Sequence, residues 1–134
     1  MSCVFCEIVA GHAPASIVFE DERTVTFLDH QPVSTGHMLV VPRRHAASLV
    51  ELDPDDGAQL FRVGMRGAAA LRADGVNLYL ADGEVAGQEV FHVHLHVIPR
   101  RAGDGLGFRH GADFSVRERA ELDETAMALR EAWS

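Results

Sequence analysis

The 134-residue sequence reads as one α+β domain, with about five strands in an antiparallel sheet and two principal helices. Three observations predict this. Short apolar runs of strand length, separated by turn residues, fill much of the first half. A single long helical window follows, and then two further strand-like runs precede a helical tail.

The elements follow in order. After "CVFC", the stretch "SIVFEDERTVTFLD" reads as two strands around a turn at Glu20 to Arg23, and "GHMLVVPRR" as a third ending at Pro42. Together they outline an antiparallel meander. Asp53 caps a helix with Pro54 in its first position; Leu60, Gly64, Ala68 and Leu71 form its buried stripe, and Asp74-Gly75 stops it. Gly64, Gly67 and Ala68 would let this helix pack closely on a symmetry mate. "VNLYLAD" and "VFHVHLHVIP" are two more strands joined by "GEVAGQE", and "RAGDGLGFRHGAD" is a loop. Ser115 and Glu118 form a capping-box signature for a last helix carrying Leu122, Ala126, Leu129 and Trp133 on one side. No repeat or linker interrupts residues 1–134.

Composition narrows the function. Twelve basic residues, all arginine, stand against twenty acidic ones for a formal net charge of -8, which argues against a general nucleic-acid or membrane-surface partner. The N-terminal stretch has no leader pattern and no apolar run reaches membrane-spanning length, so the expected location is cytosolic. Cys3 and Cys6, in C-x2-C spacing, suit a metal half-site or a redox pair better than a structural disulfide. A buried pair of small apolar residues is the plainer alternative. Two further ligands would be needed to close a tetrahedral zinc site, and His12, His45, His92 and His110 are all available by spacing.

The alternation of His92, His94 and His96 with Val93, Leu95 and Val97 carries the strongest chemical signal. In an extended strand, positions two apart share a face and lie roughly 6.6 Å apart, so the outer two are about 13 Å apart. Zn–N bonds of only ~2.0–2.1 Å make one metal an awkward partner for all three. Separate jobs are expected. Phosphoryl chemistry can use one imidazole as nucleophile and another as proton donor or charge stabiliser near neutral pH. Gly83, Gly87 and Gln88 lie just before this strand, where glycine backbone and an amide side chain could cradle a phosphate. Asp29 is a turn residue that could also accept sugar hydroxyls. Phe5, Ile8 and Phe27 read as core, or as the edge of an apolar slot.

With "CVFCEIVAG", "FEDERTVTFLDHQPVSTGHMLVVPRRH" and "AGQEVFHVHLHVIPR" in this order, the chain resembles the histidine triad (HIT) family, most closely its small bacterial, Hint-like members. The segment from about 115 is not diagnostic. The resemblance implies a HIT-like fold in a two-fold dimer and a purine nucleotide substrate. It also implies cleavage of nucleoside monophosphate derivatives, such as adenosine phosphoramidates or dinucleoside polyphosphates, at the α-phosphorus. His94 then matches the nucleophile that becomes nucleotidylated, His96 the histidine contacting the phosphoryl group, and His37 a supporting histidine behind it. Asp29 matches the ribose site; Phe5, Ile8, Phe27 and His30 the base pocket; Gly87 and Gln88 the phosphate loop. Cys3, Cys6, His45 and His92 match the ligands of one structural zinc per chain, with no catalytic metal. Two positions depart from the Hint-like pattern: Ala81-Asp82 replaces an asparagine before the glycine loop, and Glu89 replaces a serine after "GQ". They favour the alternative reading, a purine nucleotide-binding or scaffolding module with little turnover. The presence of the middle histidine speaks against it.

Overall fold

The structure, a computed structural model, describes residues 2–133. Met1 and Ser134, the outer bounds of the expected domain, lie outside the described residues. Two compact units are present, one ending at Asp104 and one beginning at Gly105. The sheet and the apolar core belong to the first. The second contains one helix, α3 (Arg119–Ala132), with no buried residue. Among the described residues, no helix is long and apolar enough to cross a membrane.

Five antiparallel strands form the sheet: β1 (Ile17–Glu20), β2 (Thr24–Leu28), β3 (Met38–Pro42), β4 (Gly75–Tyr79) and β5 (Leu95–Arg100), in the order β1-β2-β3-β5-β4. The β1–β2 turn is fixed by Asp21, whose Oδ1 accepts from the amides of Arg23 and Thr24 at 2.9 and 2.7 Å. Strand β3 is buried on both faces, which explains its unbroken apolar run. Met38 and Val40 join Leu60, Val63, Val93, Leu95 and Val97 under helix α2 (Pro54–Leu71). Leu39 and Val41 turn the other way, toward Phe5, Val25 and Phe27. The second face is closed by a six-residue helix, α1 (Val4–Val9), that the sequence reading leaves out. Its cap is unusual: the Cys3 thiol accepts from the amide of Cys6 at 3.4 Å.

Helix α2 begins as expected, with the Asp53 carboxylate accepting from the amides of Asp55 and Asp56. It ends at Leu71, three residues before Asp74, and its C-cap Arg72 takes the left-handed conformation (φ 49°). Gly64 and Gly67 face the chain's own sheet. A Cβ on Gly64 would lie 2.7 Å from Leu95 Cδ2, and one on Gly67 3.1 Å from Met38 Cε. The capping box at Ser115 does not form. Ser115 Oγ bonds to the Asp113 carbonyl, and α3 starts at Arg119 without a side-chain cap.

Because the first atom of any side chain at position 64 meets Leu95 inside a packed interior, Gly64→Val should destabilise the fold by about 1–3 kcal/mol through overpacking. Urea unfolding of the variant and the parent measures it, and equal midpoints would show that α2 can move off the sheet freely.

Candidate active site and metal centre

The expected histidine strand is shorter than its alternation suggests. Strand β5 begins at Leu95, so only His96 lies within the ladder, and Val90 to His94 form a bent, extended lead-in. The faces are nevertheless as read: Val93, Leu95 and Val97 join the core under α2. The histidine rings gather on the other side with Phe5, whose ring meets those of His92 and His94 edge-on at 5.9 and 5.1 Å.

His92 is fully buried. Its Nε2 donates to the Pro42 carbonyl at 2.8 Å, which leaves a lone pair on Nδ1. That lone pair faces Cys3 Sγ at 3.4 Å, Cys6 Sγ at 3.5 Å and His45 Nδ1 at 3.2 Å, while His45 Nδ1 lies 3.4 Å from Cys6 Sγ. Zinc bonds of about 2.3 Å to sulfur and about 2.0–2.1 Å to nitrogen put tetrahedral ligands about 3.3 Å apart for two nitrogens and about 3.5 Å for nitrogen and sulfur. The four side chains therefore have the donor set and the spacing of a closed zinc site. Of the four histidines left open by spacing, the fold selects His45 and His92. His12 pairs with Glu7 at the surface, and His110 stacks on Phe114 in the second unit. Burial and the adjacent Cys3 thiol push the Cys6 thiol up, a cost that a cation among these donors would relieve.

A second group comprises Asp29, His37 and His96. The ladder between β2 and β3 continues through the Asp29 amide to the His37 carbonyl, which brings these two side by side. The amide of Val33 donates to His37 Nδ1 at 3.2 Å, so the ring proton is on Nε2, 2.9 Å from His96 Nδ1. His96 accepts it and carries its own proton on Nε2. Metal at His37 Nε2 would move the ring proton to Nδ1, against the Val33 amide. This cluster is a hydrogen-bond relay, not a second metal site. Burial, reinforced by His94 and His37 and opposed by Asp29, pulls His96 down to about 4. Burial also lowers His37, against the nearby Asp29 carboxylate, whose Oδ2 lies 3.6 Å away.

His94 lies between the two clusters. Its Nδ1 donates to the His92 carbonyl at 2.8 Å, which leaves Nε2 with a free lone pair. Its ring centroid is 4.9 Å from that of His96, closer than strand spacing alone provides. The site thus presents one nitrogen lone pair and one neutral N–H donor side by side.

The glycine loop departs from expectation in its donors. The amides of Gly87 and Gln88 are taken by the carbonyls of Glu84 and Gly83, within the turn around a short 3-10 helix (Glu84–Ala86). The Gln88 side chain is buried and fully used, donating to the carbonyls of Ala47 and Val90 and accepting from the Gly83 amide. Among the described residues, the amides of Glu89 and Val90, one and two residues later, have no hydrogen-bond acceptor, as is also true of those of Phe91, His92 and His94. In this structure the Gly87 and Gln88 amides and the Gln88 side chain are thus engaged in shaping the turn. Asp82 caps the Leu49 amide, and Ala81 is buried. Phe5 and Phe27 are buried core at 5.5 Å from each other, Ile8 packs on them half-buried, and His30 is exposed without a bond or ring contact among the described residues. The sequence reading misses Tyr79, which lies opposite His96 in the β4–β5 register. Pairing those two strands residue by residue is the signal that would find it.

The HIT domain family matches residues 10–103. A HIT-like protein of Mycobacterium tuberculosis H37Rv is 42% identical over 136 residues, covering 98% of this chain and 93% of its own. An adenylylsulfatase of Arabidopsis thaliana is 38% identical over 132 residues, covering 95% of this chain and 65% of its own. Among solved structures, a HIT family protein from Bacillus anthracis superposes with a TM-score of 0.90 at 34% identity, over 98% of this chain and 97% of that one. A zinc-bound histidine triad family protein from Mycobacterium smegmatis gives a TM-score of 0.77 at 43% identity, over 100% and 99%. A histidine triad nucleotide-binding protein from Candida albicans gives 0.88 at 30%, over 98% and 96%. With the histidine cluster, the sheet order and these matches in agreement, the chain belongs to the histidine triad (HIT) family.

Proposed function

We propose that the protein is a nucleotide hydrolase or transferase that cleaves nucleoside monophosphate derivatives at the α-phosphorus through a covalent bond to His94. One observation carries this reading: the His92 carbonyl holds the His94 proton on Nδ1, so Nε2 is a ready nucleophile beside the His96 N–H. Nε2 attacks phosphorus, the bond to the leaving group breaks, and its electron pair departs with that group. Water then attacks the nucleotidyl-histidine, the N–P bond breaks, and the nucleoside monophosphate leaves. His96 Nε2–H and the free amides of Glu89 and Val90 would meet the phosphoryl oxygens, where charge develops.

Asp29 would take ribose hydroxyls with the part of its carboxylate not engaged by the Gln31 amide. The half-buried Ile8, packed on Phe5 and Phe27, and the exposed His30 would offer surface to a purine. The names of the Arabidopsis and Candida relatives, an adenylylsulfatase and a nucleotide-binding protein, support this class of substrate. Cys3, Cys6, His45 and His92 would hold one structural zinc, as the zinc-bound Mycobacterium smegmatis relative supports. That zinc would supply cross-linking of α1 to the sheet and no reaction step. A homodimer in the cytoplasm completes the proposal, with the exposed Phe61 and Met65 of α2 as apolar surface available for association.

Mixing the protein with adenosine 5′-phosphoramidate and quenching in alkali should trap one nucleoside monophosphate on the peptide containing His94. His94→Ala should remove the adduct and lower turnover by at least about a thousandfold, with nucleotide affinity kept. Near-normal turnover of that variant would refute the nucleophile assignment, and a wild type with neither adduct nor turnover would leave the nucleotide-binding reading. Purified without chelator, the protein should carry about one zinc per chain, and Cys3→Ala should lose the metal and melt at lower temperature. An unchanged melting temperature would reduce the cluster to a surface feature.

The relay predicts a pH signature. His96 sits at about 4 in the folded chain against 6.5 for its ordinary value, so between these the unfolded chain binds more protons. The stability associated with neutral His96 is fully present above about pH 6.5 and is lost as pH falls toward 4. Urea midpoints should drop from pH 7 to pH 5 in the parent and drop less in His96→Asn. Parallel profiles would place the acid sensitivity elsewhere.

A further inference from the structure

The loop from Asp82 to Val90 is anchored firmly at its two ends, by Asp82 on the Leu49 amide and by the Gln88 side chain on the Ala47 and Val90 carbonyls. Its outer arc, Glu84 to Gly87, bonds to itself through Ala86 and Gly87. Among the described residues, one hydrogen bond ties that arc to the sheet: the Tyr79 hydroxyl donates to the Ala86 carbonyl at 3.1 Å. Tyr79 ends β4 directly opposite His96, with ring centroids 5.5 Å apart in an edge contact. The arc is also shaped to receive the hydroxyl. Gly87 has φ 99°, and a Cβ there would lie 3.4 Å from Tyr79 Oη.

We infer that Tyr79 is a positioning residue for the reaction proposed above, a strut that holds the Glu84–Gly87 arc, and through it the chain entering Glu89 and Val90, against the strand bearing His96. The inference rests on that reading, because only a group contacted from both sides needs the distance held. A phosphoryl group is small, and donors on a loop and on a strand reach its oxygens together only if the loop does not drift. The hydroxyl acts on the loop and the ring acts on His96, so the two halves of the side chain separate experimentally. Tyr79 is the only tyrosine in the chain and stands partly exposed on an edge strand, where its removal deletes little core.

Tyr79→Phe keeps the ring and removes the tie. It should raise KM for adenosine 5′-phosphoramidate about three- to tenfold, the worth of one hydrogen bond, with kcat and melting temperature nearly unchanged. Tyr79→Leu also takes the ring away from His96, and should lower kcat as well. A KM for Tyr79→Phe within about twofold of the parent would overturn the strut. So would a loss of activity that appears only together with a lowered melting temperature, since that marks a merely structural tyrosine. If the parent itself turns over no nucleotide, the catalytic reading falls separately, and adenosine monophosphate affinity decides for Tyr79. A three- to tenfold weaker affinity in Tyr79→Phe then keeps the strut, at the magnitude of about one hydrogen bond, and equal affinities remove it.

Discussion

The site depends on the buried imidazole of His92, which is engaged from three directions at once. Its Nε2 is fixed by the Pro42 carbonyl at the end of β3, its Nδ1 completes the thiol and imidazole cluster, and its own carbonyl orients His94. A neutral ring with no water around it is stable only if each nitrogen has a partner. Here one partner is backbone from the sheet and the other is the cluster that ties down the N-terminal helix. The N-terminus, the sheet and the catalytic candidate therefore share one residue.

This explains why the chain leaves the ladder before His92. A regular strand would point its carbonyls at the neighbouring strand, whereas the bent lead-in gives the His92 carbonyl to the His94 ring and the Val93 amide to Ala46. The ladder begins at Leu95 against Val40 of β3, and β4 joins it at His96. Burial on both faces of β3 makes that pairing rigid, because the strand can slip neither way without exposing Met38 and Val40 or Leu39 and Val41.

Much of this was legible in the sequence, for identifiable reasons. Alternation is a statement about faces, and the faces of Val93, Leu95 and Val97 came out as read even where the strand did not extend. The Asp53-Pro54 start of α2 was legible because capping is local chemistry. The helix α1 was not, because six residues hold less than two turns of pattern and its cap is a thiol. The ligand set was open to four histidines by spacing, since nothing in a sequence brings residues 3, 45 and 92 together. Gln88 shows the same limit from the other side: an amide beside glycines suggests a ligand, and only packing shows which internal bonds its side chain makes. The false capping box at Ser115 belongs to a segment with no core to hold it, where local signals compete without a tertiary arbiter.

The two tautomers have a consequence for how the chemistry can vary. His94 and His96 are neighbours of the same residue type, and in principle either could attack phosphorus. A backbone carbonyl sets one and a backbone amide, acting through His37, sets the other, and neither backbone group can reverse its polarity. Exchanging the roles would require three rings to trade protons against two fixed dipoles. The pair is therefore chemically asymmetric, and His96 is poorly placed to take over the nucleophilic role proposed for His94.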